Sequence, residues 1–545
     1  MRDVLLQHPA KVRDWREAAI QPDRLTLSAQ FYNEAFFSLL IYNPATSENS
    51  EVTGKMRCLS LSMFRGRARA GSVDDSASPP PYTVSDARAA VPAPKTSGHR
   101  VFFGRIIHSK SLKEVEILPQ ASLGVDDKGR IRFLDGSVAS AAEACAKHAG
   151  FAHAETVTLK PLQFLFPGLI DTHMHAPQYP NLALGMEGDL KEWCENWTDP
   201  MEASYADTSK AHRVYREMVQ KELENGSTTV AYNSSIHPAA TNVLADVCLE
   251  FGQRAVIGKL CILVGSTHGN WEASAEQSIT DEAQVVRHIR AIDPAGELVM
   301  PCIQPRAGSY VPPHLMAGLG DLCRSSEPVR VQAHMCETPL EVQNMHALHA
   351  GFASYADMYD HHGLMGPRTI LAHCIHLTER DMQVMAARRV GVAHNANSNT
   401  CLTDGWCRVR TLLDRGIKVG LGTDCSAGYS VSILNAMRQA SNVSRHLTIH
   451  TGDPAWKLAF EELVYLATMG GAEVCALDHK VGNFEVGKAF DALLVDVGLD
   501  DNVNTNGFEH DDMALLKKWV FMGDDRSIRK VWVGGRLVAG KDLKA

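Results

Sequence analysis

Between Phe164 and Gly422 the chain repeats one unit, a short apolar run rich in β-branched residues followed by a longer stretch of mixed polarity. Eight such runs stand at Phe164 to Ile170, Thr228 to Tyr232, Ala255 to Ile262, Leu298 to Ile303, Val329 to Ala333, Thr369 to Ala372, Val390 to Ala393 and Val419 to Gly422. Strands alternating with helices predict a parallel sheet closed as a (β/α)8 TIM-like barrel, an α/β fold. The stretch Lys210 to Glu224 reads as a helix, with Val214, Met218 and Leu223 near one face and Asn225-Gly226 as its stop. Other β-branched runs flank the barrel. Val101 to Ile107, Glu114 to Leu118 and Ile131 to Leu134 precede it, and Phe490 to Val497 and a hairpin from Lys530 to Val538, turning at Gly534-Gly535, follow it. Together they predict a small composite β-sandwich domain. The expected organisation is an N-terminal extension (1–64), a flexible linker rich in Ala, Ser, Pro, Arg and Gly (65–98), a first β-domain segment (99–163), the barrel (164–484) and a second β-domain segment (485–545).

Composition narrows the classes of function. With 45% hydrophobic and 21% charged residues, the chain has the balance of a soluble globular protein. A formal charge of −9 provides no broad positive field for a phosphate backbone, so no nucleic-acid partner is expected. Thirteen cysteines without paired short spacings read as reduced thiols rather than a disulfide framework. The longest apolar runs fall short of the ~20 residues a bilayer requires, and the N-terminus reads as neither a signal nor a transit peptide. A cytoplasmic protein with a small-molecule partner is expected, with no membrane association and with a homodimer as an open option.

Active sites of such barrels lie at the C-terminal ends of the strands. The first run ends in Asp171-Thr172-His173-Met174-His175, where alternate residues of an extended segment place two imidazoles on one side. His334 follows the fifth run, His373 the sixth, and Asp424 the eighth through Thr423. Taken singly, the histidines could be satisfied core residues and Asp424 the cap of a helix beginning near Ser432. Taken together, metal-competent groups at four strand mouths predict one metal site. His237, His376 and His394 have no such partners and read as outer hydrogen-bonding or packing residues.

The stretch Phe166-Pro167-Gly168-Leu169-Ile170-Asp171-Thr172-His173-Met174-His175, with His334, His373 and Gly422-Thr423-Asp424, resembles the amidohydrolase superfamily. The resemblance implies His173, His175, His334 and Asp424 as metal ligands and His373 as the residue that orients water or substrate. Two-metal members carry a lysine at the end of the fourth strand. Ile303-Gln304-Pro305-Arg306 stands there instead, implying one ion per chain. Zinc suits these ligand types, and iron is also compatible with them. Glu337, three residues past His334, is then the expected proton carrier.

Further stretches resemble the guanine deaminases of that superfamily, among them His175-Ala176-Pro177-Gln178-Tyr179, Glu192-Trp193, Asn397-Ser398-Asn399 and Gly482-Asn483-Phe484-Glu485-Val486-Gly487-Lys488. This implies that Gln178 and Arg306 read the edges of a purine and that Trp193 walls the pocket. Departures fall in the same region. Ala307 stands where an aromatic residue is usual beside the arginine, Lys191 changes the stretch before Trp193, and His394-Asn395-Ala396-Asn397 replaces His-Cys-Pro-Asn. The implied reaction is hydrolytic deamination of guanine to xanthine and ammonia, catalysed by Glu337, His373 and Asp424. A different heterocycle (a pterin, another aminopurine or a triazine) and a catalytically silent scaffold are the alternatives.

Overall fold

The computed structural model describes residues 98–325, 327–498 and 502–541. The expected N-terminal extension, and the expected linker apart from Gly98, lie outside the described residues. The strands in chain order are β1 (Arg100–Ser111), β2 (Glu114–Val125), β3 (Ile131–Asp135), β4 (Glu155–Thr158), β5 (Gln163–Pro167), β6 (Leu169–His175), β7 (Ser227–Asn233), β8 (Arg254–Gly258), β9 (Leu260–Cys261), β10 (Val299–Pro305), β11 (Arg330–Met335), β12 (Thr369–His373), β13 (Gly391–His394), β14 (Lys418–Leu421), β15 (Ala492–Asp496), β16 (Ile528–Val533) and β17 (Arg536–Gly540).

Strands β6 to β14 form the barrel, in the order β14-β13-β12-β11-β10-β8-β7-β6, with β9 pairing β10 beyond the end of β8. Every pairing in this path is parallel. Such strands are covered on both faces, which is why the sequence shows continuous apolar runs and not alternation. The seam between β14 and β6 is bridged by Asp424 N–H to the His173 carbonyl (2.9 Å), His175 N–H to the Cys425 carbonyl (3.1 Å) and Thr172 Oγ1 to the Leu421 carbonyl (2.9 Å). Helices run between the strands. The one over Thr208–Glu224 buries Ala211, Tyr215, Met218, Val219 and Leu223, leaves the expected Val214 half-buried, and ends at Asn225 as expected. Among the described residues no helix is long and apolar enough to cross a membrane.

The first expected run proves to be two strands. Gln163–Pro167 pairs antiparallel with β15 in the satellite sheet, and only from Leu169 does the chain enter the barrel. Gly168 makes the switch, packed so closely that an added Cβ would lie 2.0 Å from Thr228 Oγ1. The third run also divides at Lys259, whose buried ammonium turns aside to Glu272 Oε1 at 2.5 Å. The satellite strands form one connected path, β17-β16-β15-β5-β1-β2-β3, with β4 on β1. A register shift between Gly104 and Ile106 bends the long β1, so that its first half pairs β4 and its second half β5. The satellite's strands enclose Phe102, Phe490 and Trp532, in ring contact at 4.9 to 5.7 Å. A buried fork from Arg254 on β8 to both oxygens of Asp491, at 3.1 Å each, ties the barrel to this sheet.

Candidate active site

The backbone at the strand ends turns sharply. Cys336, His373, Cys374 and Asp424 have φ between 49° and 72°, a left-handed conformation uncommon for residues with a Cβ. These turns follow β11, end β12 and follow β14, and they bring His334, His373 and Asp424 together with the pair on β6. Gly422 permits the approach of β14, since an added Cβ would stand 2.2 Å from Asn395 Oδ1 and 3.0 Å from the His173 Cβ.

The five side chains converge. His175 Nε2 faces His334 Nε2 at 3.0 Å, and Asp424 Oδ1 lies 3.3 Å from His173 Nε2 and 3.7 Å from His175 Nε2. His373 Nε2 lies 3.7 Å from Asp424 Oδ2. Donor atoms of His173, His334 and His373 fall within 4.8 Å of one another, as do those of His173, His175 and Asp424. The outer nitrogens are taken by oxygen acceptors: His173 Nδ1 by Gln332 Oε1 (2.8 Å), His334 Nδ1 by the Arg306 carbonyl (2.7 Å) and His373 Nδ1 by Asn399 Oδ1 (2.9 Å). At His334 and His373 this fixes the proton on Nδ1 and leaves the Nε2 lone pair turned inward, while His173 Nδ1 also meets Asn233 Nδ2 at 3.2 Å. Nε2 of both His173 and His373 is buried without a hydrogen-bond partner. Buried imidazole lone pairs facing one another beside a carboxylate are unfavourable alone and suit a divalent ion, so the donor set fits zinc. Gln304 turns away to the Tyr232 carbonyl at 2.7 Å.

Glu337 lies beside this cluster, its Oε1 3.4 Å from His373 Nε2. Burial, and after it the charges of Asp424 and Glu341, push its pKa well above the ordinary carboxyl value, against the opposing Arg306. A carboxyl held this way carries a proton to a nearby base. Glu341 is also buried, accepts hydrogen bonds from Tyr355 (2.6 Å) and Ser309 (3.1 Å), and is raised by burial to about 7. His175, His334, Glu337, Glu341, His373 and Asp424 line one cavity of about 440 Å³, of the size that takes a small ligand, with His173 fully buried next to them.

The remaining candidates line the same cavity and share an anchor that the sequence does not advertise. Glu202, 0% exposed, accepts from Gln178 Nε2 (2.8 Å), Arg306 NH1 (2.8 Å) and Asn270 Nδ2 (2.9 Å), and lies 3.6 Å from His175 Nδ1. Burial by itself would raise its pKa, but Arg306, His175 and Gln178 outweigh burial and hold it at about 2. Gln178 also accepts the Ser426 N–H at 3.3 Å, and Trp193 is buried with its Nε1 donating to the Leu184 carbonyl at 3.1 Å. Ala307 is in the wall as expected, yet an aromatic face is present. The Tyr310 ring, four residues after Arg306, stands 5.2 Å from that guanidinium and lines the cavity. Lys191 also lines the cavity; it pairs with Glu195 at 2.6 Å, and its side chain is 61% exposed. His237 and His376 hold the carbonyls of Ala203 (3.0 Å) and Asp404 (2.9 Å), and His394 is buried behind the site.

Comparisons with known proteins agree with this architecture. The family model described as "Amidohydrolase family" matches residues 164–538. The chain is 43% identical to a probable guanine deaminase of Schizosaccharomyces pombe over 447 residues, 82% of this chain and 84% of that protein. It is 34% identical to the guanine deaminase of Homo sapiens over 442 residues, 80% of this chain and 96% of that protein. A crystal structure of guanine deaminase from C. acetobutylicum with bound guanine superposes with a TM-score of 0.74 at 28% identity, covering 81% of this chain and 100% of that one. With a matching family model, barrel and strand-end histidines, the chain belongs to the amidohydrolase family, among its guanine deaminase homologues.

Proposed function

We propose that this chain hydrolyses guanine to xanthine and ammonia, using one zinc ion held by His173, His175, His334 and Asp424. The observation that carries the reading is the meeting, in one cavity, of a buried four-histidine and aspartate cluster with an arginine and a glutamine clamped on a single carboxylate. Homologues named guanine deaminase along most of the chain supply the substrate. The reading includes a cytoplasmic role in purine breakdown and leaves room for a homodimer.

A zinc ion bound there supplies a water of lowered pKa, about 7, as nucleophile. Asp424 accepts the proton of the attacking water. His373, set by Asn399, accepts a hydrogen bond from that water through Nε2 and so holds its oxygen on line for the ring carbon. Glu337 delivers a proton to the ring nitrogen next to that carbon. The proton taken up by Asp424 passes to the amino group, the carbon–nitrogen bond breaks and ammonia leaves, and the last proton on the new oxygen returns to Glu337 as the carbonyl forms. Arg306 offers its donors to the carbonyl and imidazole edge, Gln178 meets the pyrimidine edge, and Trp193 and Tyr310 wall the ring.

Ammonia release from purified protein tests the reading, with guanine, other aminopurines, pterins and triazines compared by kcat/KM. Guanine is expected to lead; a protein inert on guanine but active on another ring reassigns the substrate, and one inert on all of them when fully metal-loaded is a scaffold. Elemental analysis is expected to give one zinc per chain, with chelation abolishing ammonia release and added zinc restoring it. Two ions per chain, or none after loading, contradicts the proposed site. Ala307→Phe places a ring in the cavity wall beside Arg306. It is expected to keep or lower the KM for guanine while excluding bulkier pterins; a lost guanine activity with retained pterin activity reverses the assignment.

A further inference from the structure

Asp404 has no place in the chemistry above, yet it faces the same cavity. It is 7% exposed, and its Oδ2 is buried without a hydrogen-bond partner among the described residues. Its backbone is pinned. The Asp404 N–H donates to the Asn399 carbonyl at 2.9 Å, and its carbonyl accepts from His376 Nε2 at 2.9 Å. Thr403 at φ 57° and Gly405 at φ 130° turn the chain on either side of it. The segment that holds it also carries Asn399, which orients His373, so Asp404 is built into the same scaffold as the reacting end of the cavity.

Among the described residues no cationic side chain is paired with this carboxyl. Burial, and then the charge of Glu337, push it up to about 8, with His373 opposing and Asp424 and Asp189 adding to the rise; an N–H donated to Oδ2 draws it back toward the ionised form. A buried acceptor without a donor is costly unless a ligand brings one. Glu337, His373 and Asp424 line the same cavity and their charges act on it, which sets it toward the reacting end. In a cyclic guanidine that carbon is flanked by two ring nitrogens, one bare and one bearing hydrogen. Glu337 serves the bare one.

Resting on the guanine reading, we infer that Asp404 is a specificity-determining substrate contact, its free carboxylate oxygen accepting the ring N–H beside the amino-bearing carbon. The site then favours 2-amino-oxo rings with N–H at that position over 2-aminopurine, which presents a bare nitrogen there. Glu202 is filled by its three donors; Glu341 also keeps one buried oxygen without a partner, but its other oxygen is held by Tyr355 and Ser309, and His373 and Asp424 act on Asp404 rather than on it.

The test compares guanine with 2-aminopurine in the zinc-loaded full chain, wild type against Asp404→Ala and Asp404→Asn; 2-aminopurine is read by kcat/KM or, if not turned over, by its inhibition constant. Asp404→Ala is expected to lower kcat/KM for guanine about 10- to 100-fold, the worth of a hydrogen bond to a charged group, while the value for 2-aminopurine stays within about threefold. Asp404→Asn, which keeps an oxygen of the same shape, is expected to lose less, and it decides on the same ratio if the alanine variant is not recovered folded. Equal losses on both rings, or an unchanged guanine value, overturn the inference while leaving the function standing. A wild type inert on guanine overturns the function and this inference with it.

Discussion

Glu337→Gln lowers turnover on guanine by at least ~100-fold while zinc content stays at the wild-type level. The amide preserves size and polarity but cannot deliver a proton to the ring nitrogen, and Glu337 stands outside the set of proposed ligands, beside His373 at 3.4 Å. The loss therefore belongs in kcat, with KM changing little. Steady-state kinetics and elemental analysis on one preparation separate the two effects. Turnover retained within a few-fold assigns both proton transfers to Asp424; a loss of zinc together with activity makes Glu337 part of the metal site.

Glu202→Ala is the change with the largest expected cost in stability. It removes the carboxylate on which Arg306, Gln178 and Asn270 converge and leaves the Arg306 guanidinium buried without its counter-charge. Breaking a buried pair from one side costs about 3–5 kcal/mol, because the remaining charge is neither hydrated nor neutralised. Two base-reading side chains lose their common anchor as well, and a misplacement of about 1 Å in such groups costs about 100-fold in kcat/KM. Calorimetry reads the first effect and guanine kinetics the second. Glu202→Gln keeps part of the hydrogen bonding and should fall between; unchanged melting and kinetics in Glu202→Ala would remove Glu202 from the binding apparatus.

The contrast between Glu337 and Glu202 shows where sequence reasoning reaches its limit. Glu337 is visible because it lies three residues from His334, within one motif. Glu202 meets its partners across 24, 68 and 104 positions, and no local pattern records that meeting. The barrel strands were legible for a related reason. Covered on both faces, they must be apolar throughout, and eight such runs in series admit few architectures. The same property hid the border between β5 and β6, because Phe164 to Ile170 is equally apolar on both sides of Gly168 and only strand pairing tells them apart. Tyr310 shows the converse. The pattern around Ala307 records a missing ring at one position, whereas the cavity receives a ring from another position in the same loop.

The joining of β5 to β15 bears on how the chain is made. Gln163 and Asp496, paired at one end of this contact and hydrogen-bonded side chain to side chain at 2.8 Å, are 333 positions apart. At synthesis rates of about 5–20 residues per second, β5 emerges roughly 15–70 s before the strand that covers it. During that interval one edge of the satellite sheet is open, with Phe164, Leu165 and Phe166 along it, and an open apolar edge is a template for pairing with other chains. A polypeptide released between Asp424 and Ala492 keeps that edge permanently even though all five proposed metal and water-orienting residues are already present.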